Sequence, residues 1–372
     1  MTLPAVNPPA VPLPVASLAG SADHARRARG AGLAFPWPGE PPRRIVVMHL
    51  DSLCCLPAMN ALFAALDGRI LLLVSSDRFA GVAGFLREFR RNVARSGWRM
   101  TLALGFDIVA LHIAAFFAPA MRLLAGRRSA WRSPRELAAA VGADVRSVAD
   151  VNAAPMRDLL RRLQPDLVLC LHFDQILQPA FLKAAGCPVV NLHPALLPAH
   201  RGPCPAFWTL LARDPTCGVT IHLIVDRGID SGPVVARRSR PLPPARCMGE
   251  LDERLFGDAV ALLLPLLGEL PRRSPTAPDP SPKASPEARP ETSPGAKPEA
   301  MPETTAETTP EAGLAVALAG DRAPSAPYEP FPDRAAVRRA RRLGVRLWRL
   351  GQSARLIAGL FGWYRLDGEG VA

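Results

Sequence analysis

Short apolar runs alternate with helical stretches through the centre of this chain, and this alternation restricts the possible fold more than any other feature. Five runs rich in Val, Ile and Leu read as strands, at residues 44–50, 70–76, 166–173, 188–193 and 218–225. Stretches with helical spacing of apolar residues lie between them, at 57–66, 133–142, 154–163 and 177–186. Near-continuous apolar strands separated by helices are typical of a mostly parallel sheet that is covered on both faces. We therefore predict an α/β fold, Rossmann-like, with helices on both faces of the sheet.

The distribution of proline divides the chain into segments. Most of the 41 prolines fall before residue 43 or between about 271 and 330, and such stretches bury too little apolar surface to offset the entropy lost on ordering. We predict a disordered N-terminal tail at 1–42, a single catalytic-type domain at 43–268, a disordered linker rich in Pro, Glu, Ala and Thr at 269–326, and a basic helical segment at 327–372. The tail lacks a charged start and its apolar residues are broken by prolines, so it does not read as a secretory signal.

One segment departs from the strand and helix rhythm. Residues 98–128 are almost uninterrupted apolar sequence, with Asp107 and His112 as the polar breaks. The length would reach across a bilayer, but a carboxylate near the middle is costly there. A buried or interfacial helical insertion is the better interpretation, and the flanking arginines leave a peripheral membrane contact open.

Charge and cysteine content restrict the partners and the compartment. The formal net charge of +12 either indicates an anionic partner or reflects an arginine-rich composition; a nucleic-acid contact stays open but is not favoured. The seven cysteines form no CxxC pair and no Cys/His spacing that would bind zinc. They read as reduced thiols, which predicts a cytoplasmic location and no metal site.

The stretch NLHPALLPAHRG, residues 191–202, carries the main candidate site. If 189–193 is a strand, Asn191 and His193 point to one face of the sheet and Leu192 points to the other. They then lie at the carboxyl end of a strand, where open α/β sheets bind ligands. A capped strand end with a satisfied histidine explains the pattern equally well. Asp230 follows a second strand, so an Asn, a His and a carboxylate are expected to meet at one edge of the sheet.

Four motifs in order carry a family resemblance: NLHPALLPAHRG, PAFWTLL, GVTIH and IDSGPVV. Together they resemble the formyltransferase domain shared by phosphoribosylglycinamide, methionyl-tRNA and sugar N-formyltransferases, most densely over 165–235. The resemblance implies 10-formyltetrahydrofolate as donor, a primary amine as acceptor, no metal, and Asn191, His193 and Asp230 as catalytic residues. The Asn191 amide and a protonated His193 would stabilise the oxyanion, and one such donor contributes about 100- to 1,000-fold to the rate. Asp230 would orient the imidazolium and assist proton removal.

The same resemblance implies a donor site in the loop after the strand at 166–173. We assign Phe173, Gln175, Ile176 and Leu177 to this site, with apolar walls and backbone groups holding the pterin. His172 either lines the cleft or packs at the strand end. His222 and His200 stay open, and a satisfied sheet histidine is the more frequent outcome for His222.

The acceptor is predicted from the departures from the family pattern. Glycinamide ribonucleotide enzymes have a Gly-rich phosphate loop after the first strand, whereas here that position holds the bulky, acidic stretch 49–55, a poor phosphate cradle. The basic C-terminal segment is too short for the β-barrel that follows the catalytic domain of methionyl-tRNA formyltransferase. We expect an N-formyltransferase for a small amine such as an amino sugar. The alternatives are a methionyl-tRNA formyltransferase, a formyltetrahydrofolate hydrolase and a non-catalytic membrane-tethering protein. The oligomeric state is not predicted.

Overall fold

A computed structural model describes residues 41–77, 81–126, 129–244, 247–268 and 327–363. Within these residues seven strands form one sheet: β1 (Ile45–His49), β2 (Ile70–Ser76), β3 (Asp144–Val148), β4 (Leu167–Leu171), β5 (Val189–His193), β6 (Thr216–Leu223) and β7 (Val234–Pro241). The tail and the linker that the sequence predicts to be disordered lie outside the described residues, apart from 41 and 42.

The strand order is β3-β2-β1-β4-β5-β6-β7. Strands β1 to β5 pair in parallel, whereas β6 pairs antiparallel with both β5 and β7. The α/β class and the mostly parallel sheet are thereby confirmed. The chain reverses its direction of winding between β1 and β4, which is the point at which open α/β sheets form their ligand crevice.

Ten helices are described: α1 (Leu56–Ala65), α2 (Gly81–Ser96), α3 (Trp98–Ala125), α4 (Pro134–Ala140), α5 (Ala154–Leu163), α6 (Pro179–Ala185), α7 (Pro205–Ala212), α8 (Met248–Leu266), α9 (Arg334–Arg342) and α10 (Leu350–Phe361). The predicted start of α4 is confirmed, because Pro134 opens the helix and the Ser133 backbone N–H donates to Glu136 Oε2 at 2.9 Å. The basic segment predicted at 327–372 is helical in its described part, 327–363, but it is not one continuous helix. Two helices, α9 and α10, are present there, and the turn between them contains Gly344 at a φ of +75°.

The sheet is buried on both faces, as the alternation along β1 shows. Ile45 and Val47 belong to one core cluster with α1 and α8, whereas Val46 and Met48 belong to a second cluster with α5 and α6. Helices therefore cover both sides of the parallel part of the sheet.

The insertion at 98–128 forms α3 over Trp98–Ala125, and its polar break has a structural partner. The Asp107 carboxylate accepts a hydrogen bond from the Cys54 backbone N–H at 3.2 Å and another from Ser52 Oγ. Length and composition alone would allow α3 to cross a membrane, and 33% of its most apolar window is buried. One side of the helix packs against α10 through Ala114 and Leu360; the other side is exposed.

Candidate functional site

The candidate site begins at the pairing of β5 with β6. In this antiparallel ladder Asn191 lies opposite His222, and His193 lies opposite Thr220. Because directly opposed residues share one face of a sheet, the side chains of Asn191, His193 and His222 project to the same side. The Asn191 Nδ2 and His222 Nε2 atoms are 3.1 Å apart, and the rings of His193 and His222 have centroids 6.3 Å apart.

Asp230 completes this group from the loop between β6 and β7. Its Oδ1 atom accepts a hydrogen bond from Asn191 Nδ2 at 3.2 Å and lies 3.5 Å from His193 Nδ1 and 3.4 Å from His222 Nε2. The structure thus brings the three residues singled out in the sequence within contact of one another. The structure also places His222 in this group. Alternation along the strand motif GVTIH was the sequence pattern that could have predicted this position.

The electrostatics of the group favour an ionised carboxylate beside neutral histidine. Burial alone would raise the pKa of Asp230, but His193, His222 and the Gly202 backbone N–H outweigh burial and hold the pKa well below its usual range. Burial lowers the pKa of His193, and Asp230 opposes that effect only in part. The resting His193 ring is therefore neutral near neutral pH, in contrast to the protonated ring expected from the sequence.

The turn 194–202 holds His193 and Asp230 in place. The His193 Nε2–H donates to the His200 backbone carbonyl at 3.0 Å, so the proton of the neutral ring lies on Nε2 and Nδ1 is left facing Asp230. Thr220 ties the turn to β6, since its buried hydroxyl donates to the Ala195 carbonyl at 2.7 Å and accepts from the Leu197 N–H at 3.0 Å.

A segment far along the chain braces the same turn. The His200 ring lies between two carboxylates, with Nε2 2.6 Å from Asp214 Oδ2 and Nδ1 2.9 Å from Glu329 Oε2. The Glu329 backbone N–H donates to the Arg201 carbonyl at 2.9 Å, and Tyr328 pairs with Arg201 in an isolated bridge. Sequence reasoning missed this contact, because Glu329 and His200 are 129 residues apart and no local pattern connects them.

A large cavity opens beside these residues, with a volume of about 1960 Å³. Asn191, His193, His222 and Asp230 line it. So do the four residues assigned to the donor site, which are Phe173, Gln175, Ile176 and Leu177. Their positions relative to the catalytic group agree with the assignment, which stays a prediction.

Within that loop, Gln175 acts as a cross-link between three elements. Its Nε2 donates to Ser76 Oγ at 2.9 Å and to the Val148 carbonyl at 3.2 Å, while its Oε1 accepts from the Val151 N–H at 2.9 Å. Both ends of the amide are thus engaged by the protein. The side chain positions the loop, and Leu177 is buried in the core below it.

A second polar cluster, formed by Cys55, His172 and Asp252, lies beside the same cavity, and His172 and Asp252 line it. Burial opposes ionisation of Cys55, but hydrogen bonds involving Cys54 and His172, together with the His172 charge, lower the pKa of the thiol to about 6. Burial likewise disfavours charge on His172, yet Cys55 and two carboxyl groups raise its pKa to about 10. Asp252, on the cavity wall, has its pKa raised to about 8, chiefly by burial of its carboxyl group. The Cys55 thiol and the His172 ring thus shift each other's pKa in opposite directions, and the pKa of the neighbouring Asp252 carboxyl group is raised.

Taken together, the fold and the site define an α/β domain with an Asn–His–Asp group at the carboxyl edge of a mostly parallel sheet. Among the residues that the structure describes, no group of three or more His, Cys, Asp or Glu side chains is arranged to hold a metal ion.

Comparison with known proteins finds similarity over part of this domain. Residues 123–265 match the formyl transferase family model. Similar curated proteins include the methionyl-tRNA formyltransferases of Syntrophus aciditrophicus (strain SB), 36% identical over 29% of this chain and 34% of the relative, and of Chloroflexus aggregans (strain MD-66 / DSM 9485), 39% identical over 30% of this chain and 35% of the relative. The chain thus spans about a third of the length of these relatives. Over residues 123–265, the domain that contains the site is thus similar in sequence to formyltransferases.

Solved structures are also similar over part of the chain. Glycinamide ribonucleotide transformylase 1 from Symbiobacterium toebii matches with 17% identity and a TM-score of 0.41, over 64% of this chain and 93% of that one. An N-formyltransferase from Helicobacter canadensis, described in complex with folinic acid and dTDP-3-aminofucose, matches with 14% identity and a TM-score of 0.37, over 59% of this chain and 60% of that one.

Proposed function

We propose that this protein is an N-formyltransferase that transfers a formyl group from 10-formyltetrahydrofolate to a primary amine. The observation that carries the proposal is the Asp230 carboxylate on the cavity wall, 3.5 Å from the Nδ1 of a neutral His193 and hydrogen-bonded to Asn191. Formyl transfer requires groups that accept a proton from the attacking nitrogen and stabilise charge on the formyl oxygen. Such groups converge here on one point of the cavity.

The cavity fits a folate donor in size and lining. Its volume of about 1960 Å³ exceeds the roughly 300–1,000 Å³ of an ordinary small-molecule site, which leaves space for a pterin and for an acceptor together. Phe173, Ile176 and Leu177 would hold the pterin, and Gln175 would fix their loop. The bound donor supplies the activated formyl carbon.

The side chains of this chain divide the proton transfers and the charge stabilisation. The amine attacks the formyl carbon with its lone pair, and the carbonyl electrons move onto oxygen, where the Asn191 Nδ2–H donates a hydrogen bond. His193 Nδ1 accepts the proton lost by the attacking nitrogen, and Asp230 stabilises the imidazolium formed in this step. The electrons on oxygen then re-form the carbonyl, the bond between the formyl carbon and the donor nitrogen breaks, and the same proton passes to that departing nitrogen. No net proton is gained or lost, and the resting state has neutral His193 beside ionised Asp230.

A small amine is the acceptor class that we propose, with amino sugars and nucleotide-linked amino sugars as the first candidates. A second candidate is initiator methionyl-tRNA, because the curated relatives carry that name at 36–39% identity. Arginines on the cavity wall, among them Arg95, Arg338 and Arg341, would suit the phosphates of either acceptor.

The test follows tetrahydrofolate formation by absorbance while candidate amines and methionyl-tRNA are supplied one at a time. We expect turnover that depends on the amine and falls at least about 100-fold in His193→Ala and in Asp230→Ala. Arg161→Ala is the matched control, since this exposed residue on α5 pairs with Asp158 of its own helix. Formate release without any amine would identify a hydrolase. Wild-type turnover in both site variants would refute the proposed mechanism, and no donor consumption under any condition would favour a non-catalytic tethering protein.

A further inference from the structure

Helix α3 presents a continuous apolar stripe to solvent. Eight large apolar residues on it are exposed, at positions spaced by about one or two helical turns: Trp98, Leu102, Val109, Ile113, Phe116, Phe117, Leu123 and Leu124. Near the end of the helix the exposure is extreme, at 79% for Phe116 and 84% for Leu123. A helix of 28 residues is about 42 Å long, and a large exposed apolar patch marks a site of interaction with protein or membrane.

The stripe belongs to a helix that is firmly attached along its other side. Ala110, Leu111 and Ala114 are buried in a cluster with Leu356 and Leu360 of α10. Because this packing covers one side only, α3 lies on the surface of the part of the chain that the structure describes. This is the geometry of a helix that lies in the plane of a membrane interface.

Basic side chains accompany the stripe. Helix α2 packs beside α3 and exposes Arg87, Arg90 and Arg91, and Arg99 is exposed at the start of α3 itself. Arginines close to an apolar helical face attract anionic lipid headgroups, at about 1 kcal/mol for each charge near the surface. The charge pattern therefore matches an anionic bilayer as the partner of this face.

The same stripe leads into the cavity of the catalytic group. Trp98, Leu102, Val109 and Ile113 line that cavity, although each is also exposed to solvent. His193 and Asp230 line the same cavity. The exposed face of α3 and the point at which the amine would react thus border one cavity.

We propose that the apolar stripe of α3 docks on an anionic lipid bilayer, and that the acceptor is an amphipathic primary amine drawn from that bilayer, with its chain along α3 and its amino group at Asp230. The acceptor part of this inference rests on the proposed formyl transfer. The docking part stands on the exposed stripe and its arginines.

Docking is tested by co-sedimentation of the full chain with vesicles of phosphatidylcholine and phosphatidylglycerol. We expect binding that weakens with salt and falls at least about tenfold in the triple variant Phe116→Gln, Leu123→Gln, Leu124→Gln, whose substitutions keep helix propensity. The matched control is Phe116→Leu, Leu123→Met, Leu124→Met, which retains apolar side chains and should bind like the wild type. Absence of binding by the wild type would overturn the inference. So would equal binding by the two triple variants, or a stable dimer in solution that does not bind vesicles.

The acceptor class is tested with two amines that share one headgroup, phosphoethanolamine and its acylated form, lysophosphatidylethanolamine. Burial of the acyl chain predicts a kcat/KM at least about tenfold higher for the acylated amine. If amino sugars are formylated and acylation brings no gain, the lipid acceptor is wrong and the proposed formyl transfer stands. If no amine is formylated, the proposed function fails and the lipid acceptor with it, while the vesicle result still decides the docking surface.

Discussion

Substitution of Gly202 by alanine should disable the site without touching a side chain that does chemistry. Gly202 has a φ of +107°, and its backbone N–H donates to Asp230 Oδ2 at 2.9 Å. A Cβ atom there would lie 2.4 Å from the Glu329 carbonyl oxygen and 2.7 Å from the Tyr328 ring. Because the nearer contact is with backbone, side-chain rotation cannot relieve it. Either the turn or the segment 328–329 must move.

The size of the effect follows from these distances. A real Cβ contact is hardly ever shorter than 3.0 Å, so the 2.4 Å contact requires a retreat of about 0.6 Å or more. The left-handed backbone strain costs about 1–3 kcal/mol, and loosening the Glu329 N–H bond to Arg201 costs about 0.5–1.5 kcal/mol more. Displacement of a catalytic group by about 1 Å lowers a rate by about 100-fold. We expect Gly202→Ala to lose about 10- to 100-fold in kcat/KM for the best amine of the panel.

The matched control is Gly142→Ala, because Gly142 also has a positive φ, +71°, but a Cβ there would meet nothing within 4 Å. Both variants bear backbone strain, and only Gly202→Ala bears the clash. Unfolding followed by circular dichroism should show a larger loss of stability for Gly202→Ala, by about 0.5–1.5 kcal/mol, with an activity loss confined to that variant. Equal stability and equal activity in the two variants would refute the role of close backbone packing at Gly202.

Three further predictions concern the supports of the site and the second polar cluster. Thr220→Val leaves the buried Leu197 N–H and Ala195 carbonyl without their hydrogen-bond partner, so the free energy of unfolding in urea should fall by about 1–3 kcal/mol. An unchanged unfolding midpoint would contradict the role of Thr220 in holding the turn. Glu329→Gln keeps the size of the side chain but removes the charge beside His200. Since this carboxylate is partly exposed, the free energy of unfolding should fall by no more than about 1 kcal/mol. The kcat should fall more than the affinity for 5-formyltetrahydrofolate, which calorimetry measures. The pKa of Asp252 is raised to about 8 from an ordinary value of 3.8. Between these two pH values the native state therefore keeps a proton that the unfolded chain loses. The stability that this proton provides is full below about pH 3.8 and is lost as pH rises through about 8. Asp252→Asn should therefore flatten the decline of the unfolding free energy between pH 5 and 8, and an identical pH profile in the wild type would count against the raised pKa.

The sequence predicts the parallel centre of the sheet well and its edges poorly. Strands β1, β2, β4 and β5 are buried on both faces, and continuous apolar runs reveal them. Strand β3, with the sequence DVRSV, lies at one edge without a fully buried residue, so it lacks the apolar signal by which the others were found. Strand β7 begins with apolar residues and continues into arginines. The antiparallel direction of β6 could not be read from periodicity, because alternation is the same for either direction.

The candidate site shows the same contrast. The sequence predicts the residues that lie within or directly after a strand, but not the residues that tertiary packing brings in from distant segments. Alternation along β5 places Asn191 and His193 on one face, and the end of the next predicted strand places Asp230 at the same edge of the sheet. The tautomer and charge of His193 depend on burial and on the His200 carbonyl, neither of which is visible in the sequence. Glu329 and Tyr328 reach the turn from a segment far along the chain, and only tertiary packing brings them to His200 and Gly202.

The glycines near Asp230 explain why the motif IDSG and the residue before it contain glycine. A Cβ at Gly232 would lie 1.8 Å from the Leu223 carbonyl oxygen, and one at Gly228 would lie 2.3 Å from Ser231 Oγ. Gly232 is therefore required for the close approach of the loop to β6, because its near neighbour is backbone, whereas the side-chain hydroxyl beside Gly228 can rotate away. Asp230 is held at a φ of +47° between these two points, where its carboxylate reaches both β5 and the turn that carries Gly202. The site depends on close backbone approach at Gly202 and Gly232 as much as on the side chains that line it.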